Sequence, residues 1–340
     1  MRDNAVRAAL LALAALSCEH TAPFGAPRNP PLGPISTALP RPLTLNRGDD
    51  RHPAVTGATL LYSRWAGDPA TRERCIAFLP AVGGTISRTL CPRAVADTFV
   101  DTWTEPALSP DGRRVAFVWQ KSAPAAAFPG ETDVVVVPAD GPAAVELRWP
   151  AARQLPDGRV TTGAAELSWV DAEQLRFLVG FEYVFKVKGG GAERLTDTTF
   201  ISYAIMELDL ASGDARVVPG ADSAVAYAPA PDGGLWLVRS SDSTALLHLA
   251  PGGATAVGVG TFSRPVTDVA NVGGTAVAAL VSGDAVEWLE PVSGARGWVG
   301  MPGPIRRLAA VPGAREVIVE VERSAAEFGD RANLWRARIP

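Results

Sequence analysis

The chain has 340 residues, 47% of them hydrophobic and 20% charged, with a formal net charge of -4 at pH 7. That length holds two ordinary domains or one large repeat fold, and the mild acidic balance argues against non-specific nucleic-acid binding. Outside residues 8–16 no uninterrupted apolar run occurs, so no later segment reads as a membrane-spanning helix.

Arg2 and Arg7 precede the apolar stretch Ala8 to Leu16, and Ala15-Leu16-Ser17 leads into Cys18. Residues 1–17 therefore read as a signal peptide. The segment resembles a bacterial lipoprotein signal, which implies lipidation of Cys18. Ala15 stands where that pattern usually has leucine, and ordinary cleavage at the same bond or an uncleaved segment stays open. Residues 18–42 form a Pro-rich tether. Seven prolines between 23 and 42 forbid regular pairing, and an extended chain of that length reaches roughly 70 Å. The expectation is an exported protein on the periplasmic face of a membrane, held there by its lipid alone. Glu19, rather than aspartate, favours the outer membrane over the inner by analogy with Gram-negative lipoproteins.

From 43 to 340 one unit recurs. Its clearest copy is Leu108-Ser109-Pro110-Asp111-Gly112-Arg113-Arg114-Val115-Ala116-Phe117-Val118-Trp119, which reads as strand, tight turn, strand. Equivalent turns stand at Thr56-Gly57, Asp171-Ala172, Asp232-Gly233, Gly273-Gly274 and Gly313-Ala314, the last three about 40 residues apart. A second turn follows each of the first five, at Gly83, Asp140-Gly141, Ser212-Gly213, Gly252-Gly253 and Ser293-Gly294. Each unit thus holds four antiparallel strands with short first–second and third–fourth connections. Val115, Phe117 and Trp119 point one way and Ala116 and Val118 the other, so these sheets are apolar on both faces. Radial stacking of blades covers both. The sixth copy ends after a third strand at Asn333–Ile339. The segment 42–46 is expected to supply its fourth strand and close the ring, the competing reading being that 43–47 opens the first blade.

Cys75 and Cys91 lie symmetrically about residue 83. A hairpin turning there sets them opposite each other, close enough for a disulfide, as an oxidising compartment permits. Two buried free thiols is the open alternative.

The stretch Ser109–Phe117 resembles the WD40-like repeat of TolB-type six-bladed β-propellers, as do Ala230-Pro231-Asp232-Gly233 and Met206–Gly213. The resemblance implies an all-β propeller over 43–340, with six four-stranded antiparallel blades and the ring closed by an N-terminal strand. TolB relatives carry a further N-terminal α/β domain, and this chain has a tether in its place.

Catalytic motifs are scarce. Gly-x-Ser-x-Gly, phosphate-loop, His-Glu-x-x-His and Cys-x-x-Cys patterns do not occur. Of the three histidines, His20 falls in the tether, His52 reads as an exposed residue ahead of the first blade, and His248 as a strand residue. Glu105, Glu166, Asp222 and Asp268 stand near inner strands and are candidates to converge on the central channel, with Asn271 further along. Six-bladed propeller lactonases bind calcium there through such residues, whereas Arg306 and Arg307 would simply neutralise them. No metal or other cofactor is assigned; calcium belongs to the alternative below. The long connections all fall on the face opposite the short turns, and the longest carries Tyr183, Phe185, Lys186, Lys188 and Arg194. Its alternating aromatics equally suit an extension of the flanking strands. The leading expectation is a monomeric, non-enzymatic scaffold that recruits a protein or envelope polymer through its long-loop face. The alternative is a calcium-dependent hydrolase of a small ester or lactone in the channel, and a third reading is a purely structural envelope protein.

Overall fold

The computed structural model describes residues 39–44, 48–65, 74–92, 100–122, 131–141, 145–152, 160–187, 196–281, 283–322 and 331–340. Cys18 and the signal and tether before residue 39 lie outside them. The described residues form six four-stranded antiparallel sheets and no helix. They are the blades of a six-bladed propeller. From blade 1 to blade 6 the inner strands are Asp49–Thr56, Val100–Leu108, Val160–Trp169, Ala224–Pro229, Val266–Val272 and Ile305–Ala310.

The turn at 109–114 shows why the repeat folds as it does. Gly112 adopts φ +72°, and its N–H donates to the Ser109 carbonyl. The Asp111 carboxylate accepts from the Ser109 hydroxyl and the Arg113 N–H, and the Ser109 hydroxyl accepts from the Arg114 N–H. The strands that follow split their side chains as the alternation requires. Val115 and Phe117 enter the core shared with blade 1, beside Leu61 and Phe78, with Trp119 half-buried against it. Ala116 and Val118 enter the core shared with blade 3, beside Trp149 and Phe177. The apolar material lies between blades, as sheets covered on both faces demand.

Arg41–Pro42 pairs with the third strand of blade 6, Ala332–Arg338, and completes it. The Leu43 and Thr44 N–H groups both donate to the Leu334 carbonyl, and the Leu334 N–H to the Thr44 hydroxyl. The closing contacts thus run from 41 to 44, slightly ahead of the expected 42–46. The competing placement of 43–47 as the start of blade 1 is overturned, since that inner strand begins at Asp49.

In blade 1 the pairs Ile76–Leu90, Ala77–Thr89 and Phe78–Arg88 are centred on residue 83. One step further along, Cys75 meets Cys91, and the two are disulfide-bonded with their Cα atoms 4.3 Å apart. The bond staples a fourth strand of only three residues. Closing a loop with a sequence separation of 16 contributes about 3 kcal/mol. Reductant should therefore lower the thermal midpoint of the wild type and leave that of C75S/C91S, already lowered, where it is.

Candidate channel site

All six inner strands break register at the same level. The shifts fall between Arg51 and Ala54, Thr104 and Ala107, Ala165 and Ser168, Ala224 and Ala226, Val266 and Asp268, and Ile305 and Leu308. A β-bulge re-aims the side chains it carries, so a ring of six turns residues toward the axis. Three of them hold a non-glycine residue in the left-handed region: His52 at φ +52°, Glu105 at +50° and Glu166 at +54°. Backbone strain of this kind costs on the order of 1–3 kcal/mol per residue and gathers at functional sites.

Each blade contributes at least one polar side chain to the same cavity, which has a volume of about 510 Å³, among them His52, Glu105, Glu166, Tyr227, Asp268 and Arg307. Arg307 is the hub. It donates from Nη1 to Glu166 Oε1 at 2.8 Å and from Nη2 to Glu105 Oε1 at 3.2 Å. The other Glu105 oxygen accepts the Glu166 N–H at 3.0 Å, and His52 Nε2 lies 3.3 Å from Glu105 Oε1. Asp268 Oδ2 accepts the Leu308 N–H at 2.8 Å. Tyr227 donates its hydroxyl to the Glu166 carbonyl at 2.6 Å. Glu320, buried behind this group, accepts the His52 N–H at 2.8 Å. Two buried atoms in the cluster have no hydrogen-bond partner, Glu166 Oε2 and His52 Nδ1.

These surroundings drive the carboxyls apart. Burial alone would raise Glu105, but Arg307, His52 and the Glu166 amide together outweigh it and hold its pKa below the ordinary glutamate value. Glu166 is raised well above that value. Burial is the main cause, Asp268 and Glu105 add to it, and Arg307 only partly opposes them. The unpartnered Oε2 marks the same cost of ionisation. Asp268 is pushed up to about 6, chiefly by burial. The two neighbouring glutamates thus differ in proton affinity, Glu105 favouring its ionised form and Glu166 its protonated form.

A divalent cation does not fit this donor set. The guanidinium already stands between the Glu105 and Glu166 carboxylates, and an ion beside them would meet its charge at close range. The described residues hold no cluster of three or more His, Cys, Asp or Glu arranged to ligate a metal.

Of the expected channel residues, Glu105, Glu166 and Asp268 come together, and Asn271 also lines the cavity. Asp222 does not. It ends the outermost strand of blade 3, its side chain 75% exposed and paired with Arg239. His52 is corrected in the other direction, from exposed loop to inner-strand bulge beside Glu105. Arg307 has the neutralising part expected of it, whereas Arg306 pairs with Glu322.

The cavity opens among the short turns, lined there by Gly57, Pro110, Gly273 and Gly313, on the face opposite the long connections. The longest connection is largely strand. Gln174–Val187 pairs with Thr196–Asp209 as a continuous hairpin, with Tyr183 opposite Phe200 and Phe185 opposite Thr198, and Lys186 opposite Asp197. Lys188 and Arg194 lie outside the described residues.

No protein-family model matches the chain, and no curated protein does either. Among solved structures, it is similar to a gluconolactonase from Xanthomonas campestris, described as important in glucose secondary metabolic pathways, at 13% identity and a TM-score of 0.50. That match covers 94% of this chain and 100% of the other. A chain from a study of two prolyl endopeptidases matches at 14% identity and a TM-score of 0.50, over 86% of this chain. Here the chain spans about half, 47%, of the other's length. These likenesses show the shared fold. The constellation built in the channel, on the face opposite the long connections, overturns the expectation of a non-enzymatic scaffold working through the long-loop face.

Proposed function

We propose that the chain is a hydrolase that opens a small ester or lactone in its central channel, using Glu105 as base and Glu166 as acid. The observation that carries this reading is the pair of glutamates bridged by Arg307 with opposite proton affinities, at the floor of an open cavity. Glu105 takes a proton from water as the water oxygen bonds to the acyl carbon. When the tetrahedral adduct collapses, the acyl–oxygen bond breaks and the leaving alkoxide takes the Glu166 proton. The proton on Glu105 then restores Glu166 through the cavity water, and net consumption is one water per bond cleaved. Arg307 holds both carboxyls in place. This reading keeps the lactone or ester of the alternative and replaces its calcium by acid–base chemistry. The TolB-like character of the repeat and a lipid-anchored, exported location belong to the same proposal and are supported by the sequence patterns at 109–117 and 1–18.

A panel of lactones and simple esters tests it directly. Turnover is expected for at least one, and a chelator such as EDTA should leave the rate within about twofold. Loss of turnover on chelation, restored by calcium, would contradict the assignment of Glu105 and Glu166 to acid–base work.

A further inference from the structure

Above its charged floor the channel is lined mostly by apolar groups: Ala54, Ala107, Trp169, Pro229, Ala270 and Ala309, one from the inner strand of each blade. Several polar side chains of that wall are already engaged. The Thr56 hydroxyl donates to the Leu108 carbonyl at 3.0 Å, and Trp169 Nε1 to the Ala107 carbonyl at 3.0 Å. Ser168 and Tyr227 hydrogen-bond each other at 2.9 Å, and Tyr227 spends its proton on the Glu166 carbonyl. Asn271 also lines the cavity, one residue before the end of its strand and two before the turn glycine Gly273. A hydroxyl placed against these apolar side chains loses water without gaining a partner, which is costly. A methylene placed there gains, and each one buried tightens binding about fourfold.

We infer that the channel takes lactones or esters with an apolar alkyl body and discriminates against polyhydroxylated ones. This rests on the hydrolytic reading above for its reacting end and on the wall for its other end. The ester group meets Glu105, Glu166 and Arg307 at the floor, and the alkyl chain runs up toward the short-turn mouth. A cavity of about 510 Å³ is of the size that encloses small ligands.

The test compares δ-valerolactone, δ-octalactone and δ-decalactone with glucono-δ-lactone, by kcat/KM on the wild type and by calorimetric binding to Glu166→Gln. The expected result is a rise of about fourfold per methylene until the chain reaches the mouth, with glucono-δ-lactone at least 100-fold poorer than δ-decalactone. A flat series, or preference for glucono-δ-lactone, overturns the substrate class and leaves the hydrolytic reading standing. Binding of δ-decalactone without turnover of any lactone upholds the ligand class and overturns the hydrolytic reading. Neither binding nor turnover overturns both. Ala309→Phe, which puts a ring into the channel wall, should abolish δ-decalactone binding while the thermal midpoint stays put. Undiminished binding by a folded Ala309→Phe places the ligand elsewhere and overturns the inference.

Discussion

Glu166→Gln should lower kcat/KM on an alkyl lactone by about 10²- to 10⁴-fold, the range that general acid–base catalysis contributes. The amide keeps the shape of the protonated acid. Its oxygen still accepts from Arg307, which reaches Glu166 Oε1 at 2.8 Å, and its NH₂ occupies the place of the unpartnered Oε2. The fold therefore survives, and the thermal midpoint should hold or rise, because the variant removes a carboxyl that is costly to ionise. The decisive comparison uses the leaving group. An alkoxide needs a proton to depart and a nitrophenolate does not. Glu166→Gln should consequently be nearly silent on a p-nitrophenyl ester and severe on the lactone, whereas Glu105→Gln, which loses the base, should be severe on both. Equal losses for Glu166→Gln on the two substrates would remove Glu166 from the role of acid.

Arg307→Met should have the largest effect on stability. The arginine neutralises Glu105 and donates to Glu166 inside the channel, where the two glutamate side chains are 11% and 10% exposed. Leaving a buried charge without its partner costs about 3–5 kcal/mol. The pH dependence has a definite sign. Without the guanidinium, the Glu105 pKa rises from its depressed value and that of Glu166 rises further, so the folded variant binds protons that the unfolded chain releases. Its stability is fullest below the ordinary glutamate pKa and falls as pH rises through the raised ones. Urea unfolding at pH 8 and pH 5 should show the deficit shrinking in acid. A deficit equal at both pH values would mean that Arg307 contributes packing rather than charge.

The fold was legible because two signals agree along the chain. Strands apolar on both faces, as at Val115 to Val118, require neighbours on both sides, and the Pro-Asp-Gly turns punctuate them. The closure was legible as a missing partner for the strand at 332–338. The site was only partly so. Glu105, Glu166 and Asp268 stood out as acids in inner strands, but their convergence on Arg307 depends on bulges, which shift register without changing composition. His52 was hidden by Pro53, which reads as loop. Yet Glu105-Pro106 repeats the same step one blade on, and a proline inside a strand marks a bulge because it cannot donate to the ladder. That paired pattern was the available signal. Asp222 misled for the opposite reason. Only Ser223, at φ +57°, separates the outer strand of blade 3 from the inner strand of blade 4, so no punctuation divides them. The long-loop face stood out by its length and by the aromatic and basic residues of its longest connection, whereas the cavity is framed by the short turns.

The pH profile of kcat/KM for lactone hydrolysis, measured in EDTA on the wild type beside Glu166→Gln, bears most directly on the channel chemistry. Glu105 must be ionised, so the rate falls in acid through its depressed pKa. Glu166 must be protonated, so the rate falls in base through its raised pKa. The expected result is a bell between the two pKa values for the wild type, and for Glu166→Gln a greatly reduced profile without the basic limb. A rate that climbs steadily with pH in both proteins would contradict a carboxyl pair as the catalytic unit.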